Sequence, residues 1–173
     1  LLVHARKMED EFVAAGYGVN RRDVMYNDFI VVGPANDPAN LKGGKDVIAG
    51  FKKLAGSGSK FISRGDNSGT DVMEKDYWKK AGIEPKGQPW YVSAGLGMGE
   101  VLTMAAQLPG YTLSDRATYG AYRAKTGLAI VLQGDPQMFN PYGVIAVNPA
   151  KHPGINYACL LYTSDAADEL SCV

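Results

Sequence analysis

Three runs of uninterrupted apolar residues, "FIVVG" at 29–33, "LAIVL" at 128–132 and "GVIAV" at 143–147, constrain the fold of this chain more than any other feature. A strand with one face in water alternates apolar and polar residues, whereas a strand covered on both faces reads as a continuous apolar run. Between such runs lie segments of helical length punctuated by glycine. "ARKMEDEFVAAGYG" carries Met8, Phe12 and Ala15 at helical spacing and stops at Gly16 or Gly18. "DVIAGFKKLAGSG" reads as a helix opened by Asp46 and ended by Gly56, and "VMEKDYWKKAG" as a helix after the strand "KFI". "WYVSAG" reads as a strand and "GLGMGEVLTMAAQL" as a turn into a helix. "TLSDRATYGAYRAK" reads as a helix capped by Ser114. Strands alternating with helices imply an α/β fold with a largely parallel sheet. The opening "LLVHA" reads as the end of a buried strand.

Length and charge narrow the function. The 173 residues suit one domain or two small lobes. Basic and acidic side chains balance at 18 each, so no global field points to nucleic acid or to an anionic membrane. No apolar run approaches the roughly 20 residues of a membrane-spanning helix. Composition shifts abruptly after "HPGINYA", and residues 159–173, "CLLYTSDAADELSCV", resemble translated adapter sequence; the expectation is a non-native tail. Cys159 and Cys172 are the only cysteines and both fall in it, which leaves the rest without a thiol nucleophile, a thiolate metal site or a disulfide.

The densest chemistry is in "SRGDNSGTD", residues 63–71, between a strand and a helix. A helix beginning near Ser68 leaves its first amides unpaired, and its dipole adds positive partial charge there. Gly69 admits a ligand close to the backbone, Ser68 and Thr70 supply hydroxyls, and Arg64 offers a planar fork suited to an oxyanion. Two readings stand side by side: a small-anion site, or a capped helix with an internal Arg64–Asp66 ion pair. An adhesion-type reading of Arg64-Gly65-Asp66 rests on a tripeptide alone. "GLGMGE", Gly95 to Glu100, approximates a dinucleotide fingerprint but puts Glu100 where the third glycine belongs, against a pyrophosphate. It reads as a second helix N-terminus facing the first, or as a tight turn with no ligand. His4 and His152 are the only histidines, and no metal-binding or nucleophile motif accompanies them.

Five stretches, "VMYNDFIVVGP", "FISRGDNSGT", "GMGEVLTMA", "YTLSDRATYGAY" and "NPYGVIAVNPAKHP", together resemble the tungstate-binding proteins of bacterial ABC transporters, collinearly from about Leu1 to Tyr157. The resemblance implies a type II periplasmic-binding-protein fold: two α/β lobes joined by crossing strands, with ligand clamped between them. Residues 1–32 would be part of the first lobe and the first crossing strand, 33–140 the second lobe and 141–158 the return strand. The family's N-terminal Thr/Ser-rich oxyanion motif and C-terminal helices are not matched, so the expectation is a fragment of a longer protein. The implied function is extracytoplasmic capture of tungstate or molybdate for an ABC permease, in the periplasm or anchored outside the membrane. Neither covalent chemistry, a cofactor, a nucleic acid nor a metal beyond that of the oxyanion is implied. By the resemblance Arg64 contacts the oxyanion, Ser68, Gly69 and Thr70 are donors, Gly97, Met98 and Gly99 form the facing wall, and Ser63 and Asp66 position Arg64. The alternatives are a phosphate- or sulfate-binding protein and the ligand-sensing domain of a transcription regulator.

Overall fold

Residues 29–32 lie at the C-terminal end of a long strand, and the elements around it follow in chain order. The computed structural model describes residues 1–3 and 6–156, so His4 and the expected tail lie outside the described residues. The elements are β1 (Leu2–Val3), α1 (Arg6–Ala14), β2 (Gly18–Gly33), α2 (Val47–Ser57), β3 (Phe61–Ser63), α3 (Gly69–Ala81) and β4 (Tyr91–Ser93). After them come α4 (Met98–Gln107), β5 (Thr112–Asp115), α5 (Arg116–Thr126), β6 (Ala129–Leu132), a 3₁₀ turn (Pro136–Met138) and β7 (Phe139–Val147). The chain divides into two units, Asn27–Asn140 and the segments flanking it, Leu1–Tyr26 with the residues from Pro141. β2 and β7 each begin in one unit and end in the other.

In the Asn27–Asn140 unit the period of two along β2 separates two cores. Phe29 and Val31 join Phe51 and Leu54 of α2 and Tyr77 and Trp78 of α3. Ile30 and Val32 join Met98, Val101 and Leu102 of α4 and Tyr119 of α5. Phe61 and Ile62 of β3 divide the same way. Both faces are covered, which is why the run has no polar position. Each fully buried side chain of this size contributes roughly 1.5–3 kcal/mol.

The sheet is less parallel than the alternation of elements suggests. β2 pairs antiparallel with β5, Phe29 opposite Asp115 through Val32 opposite Thr112, and antiparallel with β6, with a register shift between Val31 and Val32. The parallel ladder is β3 with β4, and a parallel bridge joins Phe61 to Tyr111 just before β5. Crossover helices fix the relative direction of β3, β4, β5 and β6. β2 enters with the opposite sense, and no local sequence signal marks that. Tyr111 also explains Gly33, because a Cβ there would enter the tyrosine ring.

Four local expectations are corrected. Residues 112–115 are strand, held by pairing to β2, and α5 starts after Asp115, whose carboxylate accepts from the Thr118 amide at 2.8 Å and hydroxyl at 2.9 Å. Ser114 is buried in β5 and is not the cap. α2 runs past Gly56 to end at Gly58, whose φ of 67° places it in the left-handed region that glycine tolerates. In the flanking unit β1 pairs antiparallel with β7, but Leu1 and Leu2 are exposed rather than buried. α1 also turns a different face inward: Met8 is 69% exposed while Glu9 is 3% exposed. Arg21 Nε donates to Glu9 at 2.7 Å, and this enclosed ion pair, not the apolar spacing, sets the rotation of the helix.

The burial assignments are testable as a pair. Phe51→Ala removes a ring at the centre of one core and is expected to cost about 3–5 kcal/mol. Met8→Ala is expected to change stability by less than about 0.5 kcal/mol. Urea denaturation of both variants checks this, and a large loss at Met8 would contradict the placement of α1.

Candidate functional site

Ser63 and Ser93 end β3 and β4 at the same register position, so both segments leave the parallel pair at its C-terminal edge. Each then turns into a helix, α3 capped at Ser68 and α4 at Gly97. The turns are tied together by backbone. The Ser63 carbonyl accepts the Ala94 amide at 2.9 Å, and the Arg64 carbonyl accepts the amides of Gly95 at 2.7 Å and Leu96 at 3.2 Å. Two helix N-termini, each an end with positive partial charge, are thereby launched from adjacent strands.

The first turn is held by a buried carboxylate. Asp71 is fully buried and accepts the Gly65 amide at 3.1 Å, the Asn67 amide at 3.0 Å and the Lys75 ammonium at 2.6 Å. Gly65 and Asn67 have φ of 63° and 58°, so both amides turn inward only because these residues adopt the left-handed region. A Cβ on Gly65 would also collide with the Ser93 hydroxyl. Ser68 Oγ accepts the Asp71 amide at 3.3 Å, and Asp66 accepts the Ser68 amide at 3.1 Å. The Gly69 and Thr70 amides open the helix without an intrahelical acceptor.

Arg64 points its fork along this turn. Its Nε and Nη2 donate to one oxygen of Asp66, at 3.1 and 2.6 Å, which leaves Nη1 clear of that pair. Burial disfavours ionisation of Asp66, but hydrogen bonds from Ser68 and Arg64 and the arginine's charge outweigh it, holding the carboxyl at about 2. The capped helix and the Arg64–Asp66 pair of the bland reading are therefore both present. Both belong to the same turn, and they leave its helix-opening amides and the Arg64 Nη1 outside the pair. The same pair engages both charged ends of the Arg64-Gly65-Asp66 tripeptide, as an adhesion loop would not.

The structure brings Arg64, Ser68, Gly69 and Thr70 into one turn, with Asp66 as the direct partner of Arg64. Thr70 is mostly buried, at 8% exposure. Ser63 contributes through its carbonyl, and its buried hydroxyl has no hydrogen-bond partner. The facing wall is more restricted than the sequence suggests. The Gly97 amide donates to the Glu100 carboxylate at 2.9 Å, the Met98 side chain is in the core, and Gly99 is a glycine because a Cβ would strike the Tyr122 ring. Glu100 thus serves as a helix cap. Among the described residues no cluster of three or more His, Cys, Asp or Glu side chains is placed to hold a metal ion, and no helix is long and apolar enough to cross a membrane.

Two residues behind the turn escape sequence reasoning. Asp71 lies three positions after Ser68, the spacing of a capping box, but nothing local marks it as the acceptor of the turn's own amides. Glu74 is buried, and one of its oxygens accepts Trp78 Nε1 at 3.0 Å and the Tyr91 hydroxyl at 2.8 Å. Burial pushes its carboxyl up to about 7, against the opposing pull of Ser63, Tyr91 and Trp78, with the nearby charge of Asp71 adding to the rise. The buried Ser63 hydroxyl is a neighbour of this carboxyl without a hydrogen bond to it.

Strand-to-helix turns launched from one sheet edge, with two strands that begin in one unit and end in the other, place the chain in the α/β class. The chain belongs to the PBP superfamily, whose domain it matches over residues 1–170. It is 53% identical over 158 residues to the tungstate-binding protein TupA of Peptoclostridium acidaminophilum, covering 90% of this chain and 55% of that one. Among solved structures it is similar to the tungstate ABC transporter protein of Geobacter sulfurreducens, with 56% identity, a TM-score of 0.79 and coverage of 95% of this chain and 69% of that one. The tungstate-binding protein TupA of Desulfovibrio alaskensis G20 is 44% identical with a TM-score of 0.82, over 99% of this chain and 67% of that one. The chain spans about half the length of the curated relatives it matches.

Acid titration tests the frame of the turn. The folded value of Asp66, about 2, lies below its ordinary 3.8, so the stability it contributes is complete above 3.8 and lost as pH falls through 2. The difference in unfolding free energy between the wild type and Asp66→Asn is expected to be widest near about pH 5 and to close towards pH 2. A difference that does not change with pH would contradict the assignment.

Proposed function

We propose that this chain is part of an extracytoplasmic solute-binding protein that captures tungstate or molybdate for delivery to an ABC permease, without covalent chemistry and without a cofactor. The observation that carries the reading is the Arg64 turn: one guanidinium edge, two helix-opening amides and the Ser68 and Thr70 hydroxyls gathered at a parallel sheet edge. The names of the relatives at 44–56% identity support the same ligand. We read residues 1–32 and 141–158 as belonging to one lobe and its crossing strands, and 33–140 as the other lobe. Arg64, Ser68, Gly69 and Thr70 form the wall that meets the anion. The amides of Met98 and Gly99 add to it, while Gly97 contributes less because Glu100 already occupies its amide. Asp66 orients Arg64 by holding its Nε edge, and Ser63 carries the backbone tie to the second turn. The implied location is the periplasm or the outer face of a membrane, with the permease as partner.

Magnitudes require several donors. Nanomolar capture needs about 12 kcal/mol of net binding, and one charged hydrogen bond contributes roughly 1.5–3 kcal/mol. Arg64→Lys keeps the charge and loses the fork, so tungstate affinity is expected to fall roughly tenfold or more with the fold unchanged. Arg64→Glu is expected to abolish binding by repulsion. Calorimetric titration with tungstate, molybdate, phosphate and sulfate checks both the ligand and the residue. A folded Arg64→Glu variant with undiminished tungstate affinity would show that the site is elsewhere, and a preference for phosphate or sulfate would replace the ligand assignment.

A further inference from the structure

We propose that Glu74 is a positioning residue for the oxyanion turn, holding it in the binding geometry when protonated and weakening anion affinity when ionised; this rests on the oxyanion reading above. Asp71 and Glu74 lie three positions apart on α3, at 0% and 2% exposure. Asp71 has one cation, Lys75 at 2.6 Å, and two amides of the turn. The donors to Glu74, Trp78 Nε1 and the Tyr91 hydroxyl, are both neutral. Protonated, Glu74 leaves the Asp71–Lys75 pair balanced behind the turn. Ionised, it adds a second carboxylate with no cation of its own among its recorded partners.

That added charge bears on the groups that shape the turn. It repels Asp71, which holds the Gly65 and Asn67 amides, and it attracts the unpartnered hydroxyl of Ser63, the residue immediately before Arg64. It also places negative charge behind a helix end that receives an anion. The titratable groups around Glu74 are Asp71 and Lys75 on its own helix and Tyr91 on β4; Ser63 on β3 is the remaining polar neighbour. α2 and β5, which also pack on α3, contribute Phe51, Leu54 and Leu113 to the shared core. Protons have a route in: a surface cavity of about 810 Å³ is lined by Trp78 and Tyr91, the two donors, together with Gly65, Ser93, Lys75 and Lys79. A carboxyl lifted to about 7 by burial would change charge within the physiological range.

Two measurements on the full chain test this separately. In ligand-free ¹⁵N spectra between about pH 5.5 and 8.5, the Gly65 and Asn67 amides are expected to shift with a midpoint near 7. Glu74→Gln should remove that titration, which assigns it to this carboxyl and not to another group. Tyr91→Phe removes a donor that favours the carboxylate and should move the midpoint upward, a readout that survives if Glu74→Gln fails to fold. Calorimetry with sodium tungstate is expected to give severalfold weaker binding at about pH 8.5 than at about pH 6 in the wild type, and no such difference in Glu74→Gln. Amides that do not titrate in the wild type, or titrate identically in Glu74→Gln, would overturn the role of Glu74. Titrating amides with pH-independent tungstate affinity would overturn its effect on binding. Absence of tungstate binding at either pH would overturn the oxyanion reading, and the amide titration would still decide whether Glu74 governs the turn.

Discussion

The fully buried carboxylate of Asp71 organises everything around it. It receives two amides from the preceding turn and an ammonium from the next turn of its helix, so it fixes where the chain passes from β3 into α3. Leaving those buried amides without an acceptor would cost about 1–3 kcal/mol each, comparable with much of a small domain's net stability. The left-handed Gly65 and Asn67 point their amides inward to Asp71, and Arg64 bonds Asp66 within the same turn. The Arg64 carbonyl then ties this turn to the one after β4. A single buried carboxylate thus fixes the turn on which the proposed site is built.

The two-core arrangement supplies the rigidity that such a turn requires. β3 is only three residues long, yet Phe61 and Ile62 anchor it to opposite cores, with aromatic rings of α2 and α3 on one side and α4 on the other. Phe51, Phe61 and Trp78 lie with ring centroids 4.4–5.6 Å apart, an arrangement that resists sliding of α2 over α3. The turn therefore stands on a strand end packed into both cores.

Much of this was legible in the sequence, for identifiable reasons. The continuous apolar run of β2 marked a strand covered on both faces, and Asp46 and Ser68 marked helix starts because their side chains accept amides three residues on. What was not legible depended on partners distant in sequence. Residues 112–115 carry a cap-like serine, but pairing with β2 made them strand and passed the cap to Asp115. Met8 looked like the inward position of α1 until Arg21, twelve residues beyond Glu9, turned the acid inward. The direction of β2 has no local signature at all. At the candidate site, residue types singled out the Arg64 turn, whose cap and ion pair the structure contains, whereas the glycines at 97 and 99 had structural explanations visible only once Glu100 and Tyr122 were placed.

The central claim is that the Arg64 turn and the α3 N-terminus receive a tetrahedral oxyanion. Tungsten scatters X-rays anomalously, so crystals of this protein grown with tungstate would locate the anion without reference to any assumed site. The account predicts a tungsten peak whose oxygens lie within hydrogen-bonding distance of Arg64 and of the Gly69 and Thr70 amides. A well-occupied tungsten position that none of these three groups contacts would contradict it.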